Sequence, residues 1–244
     1  MTTFSDHFSK LAPLLEFDSK ALIGDEKIPQ ELCSFILALA LAYNDYKLYM
    51  ISLIMLMDSE PDGQFERTPE WGEYAGIKLH IIRLHVGFAH ELLKLIKKNA
   101  RNIENDFFKE IIRKLSPKAR KSWANLVNVA LMKEKSNLLA RIRNTVAFHY
   151  DADEVFSGYQ AGFFKDGVLQ NACISKGNTL QESRFYFADL AIQGYFEKTV
   201  DTNIEDFYSS LIEIMQEINN ALYEIVTKFI QGRGFAWRKP VKEK

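Results

Sequence analysis

Along most of this chain apolar residues recur at intervals of three and four, the spacing of a helix with one face turned to a core. Residues 4–17 read as a short amphipathic helix. Residues 18–29 read as a polar connection, with Pro29 suited to a first helical turn. A long apolar helix is expected over 28–58. Residues 59–69 hold Pro61, Gly63 and Pro69 and read as a loop. A second long helix follows from about 70 to 99, with Ile77, Ile81, Leu84, Phe88, Leu92 and Leu95 as its apolar stripe. A third runs over 103–115. Ser116-Pro117 then supplies an N-cap and first turn for a helix to about 133. That helix is expected to continue, with a kink near 135–137, through 138–149.

From 156 to 175 the pattern changes. Gly158, Gly162 and Gly167 break the helical period, and Lys165-Asp166-Gly167 fits a hairpin turn. The segment reads as a loop or small hairpin. Thr179-Leu180-Gln181-Glu182 and Thr202-Asn203-Ile204-Glu205 read as capping boxes, opening helices to about 198 and about 231. Residues 232–244 read as a mobile basic tail. The expectation is therefore one all-α domain over 1–244. It has a core at about 28–151, an insert at 156–178, C-terminal helices over 179–231 and the tail.

The 244 residues suit one large domain, and 47% apolar with 26% charged residues is an ordinary globular balance. Twelve Gly and six Pro leave little material for turns, which favours long helices. Cys33 and Cys173 form no CxxC pair, and neither has a local His and Asn/Asp arrangement that would nominate a thiol nucleophile. Charges among residues 1–20 argue against a secretory signal, so a reducing cytoplasm is the expected home. The apolar run 32–43 is twelve residues long, short of the ~20 that a bilayer span needs, and no membrane association is expected.

The net charge is −1, but it is unevenly spread. Residues 94–143 carry fourteen Lys or Arg against four Asp or Glu, a local balance of +10, so the rest carries −11. Lys109, Arg113, Lys114, Lys118, Arg120 and Lys121, with Trp123 nearby, are candidates to line an RNA groove by charge and stacking. The competing reading is a set of solvated helix faces paired with the acidic remainder.

The stretch with most chemistry is Arg143-Asn144-Thr145-Val146-Ala147-Phe148-His149. Arginine is a permanent cation whose planar fork fits phosphate, and histidine exchanges protons near neutral pH. The structural alternatives are an arginine bonded to helix carbonyls and a histidine favoured at a helix end by the dipole. His80, His85 and His90 are five residues apart, whereas helical metal pairs use three or four, so no metal site is expected. No GxxxxGK[ST] or GxGxxG occurs, and no cofactor is expected.

A helical chain with Arg-Asn followed by His near the end of a later helix resembles the HEPN superfamily (higher eukaryotes and prokaryotes nucleotide-binding). Its motif is Arg, four to six residues, then His, often with a polar residue directly after the Arg. Arg143, Asn144 and His149 match it with five intervening positions, and Tyr150 follows. The resemblance implies a homodimeric, metal-independent endoribonuclease, or a non-catalytic relative that binds nucleotide, RNA or a partner protein. Members occur in toxin–antitoxin and phage-defence systems, so an antitoxin-like partner is implied as well. Asp45 on the first long helix is a candidate to be a buried partner orienting Arg143, as acidic residues on that helix do in some relatives. The alternative is a solvated Asn44-Asp45 pair. A dimer also follows from geometry. Six residues of helix separate the two side chains by roughly 9 Å at about 1.5 Å per residue and turn them about 120° apart, so one helix aims them poorly at one phosphate.

Overall fold

The chain is all-α. A computed structural model describes residues 7–9, 11–63, 67–147, 151–165, 168–169, 171–200, 204–234 and 238. Its helices are α1 (Gln30–Met57), α2 (Pro69–Lys98), α3 (Ala100–Ile103), α4 (Asp106–Arg113) and α5 (Pro117–Leu131). Then come α6 (Lys133–Ile142), a π-helical turn (Arg143–Ala147), α7 (Ala152–Phe163), α8 (Tyr186–Thr199) and α9 (Ile204–Gly232). None of the described helices is long and apolar enough to cross a membrane. The chain divides into two compact units, the first made of residues 49–90 and 134–212, the second of 2–48, 91–133 and 213–244.

In the second unit, Phe35, Phe108 and Trp123 form a chain of tilted and edge-on rings, with centroids 5.8 and 5.7 Å apart. Phe107 meets Phe229 edge-on at 5.6 Å. The caps are built from the expected residue types. Asn105 accepts from the amides of Phe107 and Phe108 and opens α4. Ser116 accepts from the Ala119 amide and opens α5. Both carboxylate oxygens of Glu224 in turn accept from Ser116, one from its amide and one from its hydroxyl, each at 2.7 Å.

The start of the C-terminal segment is anchored where the sequence suggests a loose tail. Arg233 is 6% exposed and donates to the Ala21 and Ile23 carbonyls, to Cys33 Sγ and to Asp25. Arg238 pairs through its backbone with Glu16. Residues 11–17 carry no helix, against the expectation, and Glu16 forms an isolated bridge there.

In the first unit, Leu56, Tyr74 and Ile81 are buried together, with Tyr49, Leu53 and Trp71 against them. The stripe expected on α2 is displaced in part. Ile77 and Leu84 are more than a third exposed, while Ile81, His85, Val86, Ala89 and Leu92 are buried. The buried polar His85 stacks on Tyr49 with ring centroids 4.5 Å apart.

Three expected elements are corrected, the first in the second unit and the other two in the first. The break after α5 lies at Met132, whose ψ of 113° is extended, and not at 135–137. Gly158 and Gly162 lie inside α7 and do not end a helix. They are there because the backbone of α8 passes against them: an added Cβ at Gly158 would lie 2.2 Å from the Ala191 carbonyl oxygen, and one at Gly194 would lie 2.2 Å from that of Gly158. Lastly, Thr179–Glu182 caps no long helix. Residues 180–182 form one 3-10 turn, the Ser175–Arg184 bridge closes the loop, and α8 begins only at Tyr186. Residues 164–165 and 168–169 pair antiparallel over two residues each. The turn expected at 166–167 lies outside the described residues.

Candidate functional site

The motif segment follows α6, whose inward face is set by Leu139 and Ile142 and continues into Val146, all buried. After Ile142 the chain makes a π turn over Arg143–Ala147. Such single turns are rare in helices and are found frequently at functional sites. Arg143 is half-buried and Asn144 exposed. The Arg143 Nη1 donates to Asn144 Oδ1 at 2.9 Å, so the polar residue after the arginine steadies the guanidinium directly.

The carbonyls at the end of a helix lack intrahelical donors. Here two are met from elsewhere. Arg83 of α2 donates from Nε to the Val146 carbonyl, and the Asp151 amide donates to that of Thr145 at 3.3 Å. Asp151 then caps α7 by accepting from the Glu154 amide at 3.1 Å. The π turn and the start of α7 are thus each held by hydrogen bonds. His149 and Tyr150 lie outside the described residues.

Arg83 carries a signal that the sequence does not reveal, because a basic residue in a helical stripe looks like a solvated one. It sits three residues from His80, whose pKa is lowered by partial burial and by the charges of Arg83 and Arg184. A second cation and an imidazole with a lowered pKa therefore share the unit of Arg143. Buried His85 is driven further, to about 4, by desolvation alone. Among the described residues no group of three or more His, Cys, Asp or Glu could hold a metal ion.

Other candidates are placed differently from the expectation. Asp45 is exposed and belongs to the second unit, whereas Arg143 belongs to the first. The exposure of Asp45 fits the solvated polar pair and not a buried partner. Lys109, Arg113, Lys114, Lys118, Arg120 and Lys121 also fall in the second unit. Lys109 meets Glu104 at 2.6 Å, and Arg113 and Lys114 share Glu110 at 3.3 and 3.5 Å. Arg120 donates to the Leu115 carbonyl, while Lys118 and Lys121 are exposed. Trp123 is 4% exposed and packs edge-on against Phe108, so it offers no stacking platform.

No family model matches this chain, and no curated protein or solved structure does either.

Proposed function

We propose that the chain is a metal-independent endoribonuclease of the HEPN type, acting as a homodimer and fitting a toxin-like or phage-defence role. What supports the reading best is the state of the Arg143-Asn144 pair: a half-buried guanidinium steadied by the next side chain, on a π turn pinned by Arg83. In this reading the RNA 2′-hydroxyl attacks the adjacent phosphorus. His149 takes or returns the proton. Arg143 holds the phosphate and stabilises the charge that builds on it. Asn144 keeps the guanidinium fork in plane, and Tyr150 and Arg83 support the segment.

The second reading is a non-catalytic module of the same type that binds nucleotide, RNA or an antitoxin-like protein. Among its ligands, the compensation of Lys109, Arg113 and Lys114 by Glu104 and Glu110 favours a nucleotide or a protein over RNA, because it leaves α4 a poor track for a phosphate backbone. One experiment separates the two. Purified protein is incubated with RNA in EDTA. The first reading expects cleavage with 2′,3′-cyclic phosphate ends, a loss of about 10²–10⁴-fold in His149→Ala, and failure of Arg143→Lys, whose ammonium lacks the bidentate fork. Equal degradation by wild type and His149→Ala would expose a contaminant. Salt-dependent binding without cleavage gives the second reading.

A further inference from the structure

The first unit also contains a cavity of about 800 Å3 that is lined by none of the described motif residues Arg143–Ala147. Ligand clefts are typically about 300–1,000 Å3, mostly apolar with a few placed polar groups. This one is walled by the first half of α2, the end of α7, residues 171–174, the start of α8 and Tyr208 of α9. Leu79, Ile82, Phe163, Phe187 and Leu190 make its body apolar. The α2 wall is cut back by small residues. Ala75 presents only a methyl group, and Gly72 and Gly76 give their space to Tyr186 and Arg184.

Among the described residues, the charged ones that line the cavity are Arg67, Lys78 and Asp189. Asp189 is already compensated. Arg184 holds its two oxygens at 2.8 and 3.4 Å and reaches Glu73 at 2.8 Å. Burial lowers the Arg184 pKa, but hydrogen bonds and charge from Asp189 and Glu73 more than reverse this and raise it, so the guanidinium is fixed as a cation. Arg67 and Lys78 therefore leave the described lining with an excess of positive charge. The N-terminal residues of α2 and of α8 (Thr68, Pro69, Tyr186 and Phe187) line the same cavity and add helix-dipole potential of the same sign. Cys173 lines it too and is exposed, whereas Cys33 is buried in the other unit.

We propose that this cavity binds an anionic amphiphile of the fatty-acid class. Its aliphatic body lies against Leu79, Ile82, Phe163 and Leu190, and its carboxylate is taken by Lys78 and Arg67. An arginine matches a carboxylate with two parallel donors, and a lysine adds a point charge on a flexible stem. The apolar body contributes in proportion to the methylenes it removes from water. The site does not depend on the ribonuclease reading.

The test uses the full chain and sub-micellar octanoate, decanoate, dodecanoate and dodecyltrimethylammonium, titrated by calorimetry. Alkylation of Cys173 by iodoacetamide provides a second readout. Dodecanoate is expected to bind one per chain and to slow Cys173 alkylation at least tenfold. Each methylene removed down the series should weaken binding by about fourfold. The cationic amphiphile should bind at least tenfold more weakly than dodecanoate. Lys78→Glu, at an exposed position, should weaken dodecanoate at least tenfold with an unchanged melting temperature. Ala75→Trp should block binding by filling the cavity. His149→Ala should bind as wild type does, which keeps this result separate from any RNA activity. No dodecanoate binding, equal binding of the cationic amphiphile, or wild-type affinity in both Lys78→Glu and Ala75→Trp overturns the proposal.

Discussion

The crossing of α7 and α8 sets two opposing effects against each other at Gly158. In an exposed helix interior, Gly→Ala gains about 1 kcal/mol, because alanine loses less backbone entropy on folding. At Gly158 the added methyl group would lie 2.2 Å from the Ala191 carbonyl oxygen, 2.7 Å from the Tyr195 amide nitrogen and 2.8 Å from Tyr195 Cβ. Two of those atoms are backbone and cannot rotate away. The two helices must part, loosening the packing around Tyr195 and Phe163, both almost wholly buried. Overpacking of a closed core costs about 1–3 kcal/mol and sometimes more. A clash against backbone belongs at the upper end, so a net loss of about 1–2 kcal/mol is expected after the propensity gain.

Gly162 is one turn further on and supplies the internal control. Its added Cβ would meet the Leu190 carbonyl oxygen at 3.1 Å and Leu190 Cγ at 3.4 Å, which small shifts can relieve. There the propensity gain nearly offsets the crowding, and Gly162→Ala should change stability by less than about 0.5 kcal/mol. At about 2–4 °C per kcal/mol for a chain of this size, Gly158→Ala should lower the melting temperature by about 2–8 °C and Gly162→Ala should barely move it. Gly194→Ala should resemble Gly158→Ala, since its Cβ would sit 2.2 Å from the Gly158 carbonyl oxygen. The double variant should lose less than the sum of the singles, because helices already parted by one methyl group have room for the second. Differential scanning fluorimetry and urea titration of the four variants measure all of this. A melting temperature in Gly158→Ala equal to or above that of wild type would falsify the close-approach account of these glycines.

Two other perturbations have signs that the structure fixes. Burial holds His85 near a pKa of about 4 against 6.5 in a model peptide, so the unfolded chain binds its proton first as pH falls. The neutral histidine's contribution is complete above pH 6.5 and is lost as pH falls from 6.5 to 4, by about 3 kcal/mol in all. Urea midpoints between pH 4 and 7 should therefore fall more steeply for wild type than for His85→Phe, and parallel curves would refute the assignment. Arg233→Ala removes a nearly buried cation from two carbonyls, Asp25 and Cys33. It should cost about 1.5–3 kcal/mol, the range for hydrogen bonds to a charged group, and a loss under 0.5 kcal/mol by urea titration would show that the clamp is incidental.

The parts of this fold that were legible in the sequence are those where local chemistry and packing agree. The long helices α1, α2 and α9 fall within a few residues of their expected limits, because their apolar periodicity is sustained over 28 to 30 residues. Ser116-Pro117 opens α5 as expected, since a hydroxyl cap followed by proline is a local signal. The misreadings arose where a partner distant in sequence decides the outcome. Glycines at 158 and 162 look like helix breakers until Gly194 is brought against them, and then they are the residues that let two backbones meet. His85 looks like a polar position on α2 until Tyr49 covers it, and there the buried position falls at His85 and not at Leu84, while Ile81 and Leu92 are buried as expected. Arg233 resembles any residue of a basic tail until the Ala21 and Ile23 carbonyls turn toward it.

The same division runs through the candidate site. Arg143 and Asn144 stand out in the sequence as neighbours, and their side chains meet, a contact not expected from the sequence. What the sequence did not reveal is that the helix changes its winding there and that Arg83, sixty residues earlier, satisfies a carbonyl of that turn. This bears on the argument for a dimer. The roughly 9 Å and 120° separating Arg143 from His149 hold only for a regular α-helix. A π turn places each residue at a different angle and rise, so the mismatch alone no longer requires a second chain to complete the site. The dimer then rests on the resemblance and on measurement. Light scattering at micromolar concentration is the direct check, and a monomer that still cleaves RNA in EDTA would keep the chemistry and discard the two-fold site.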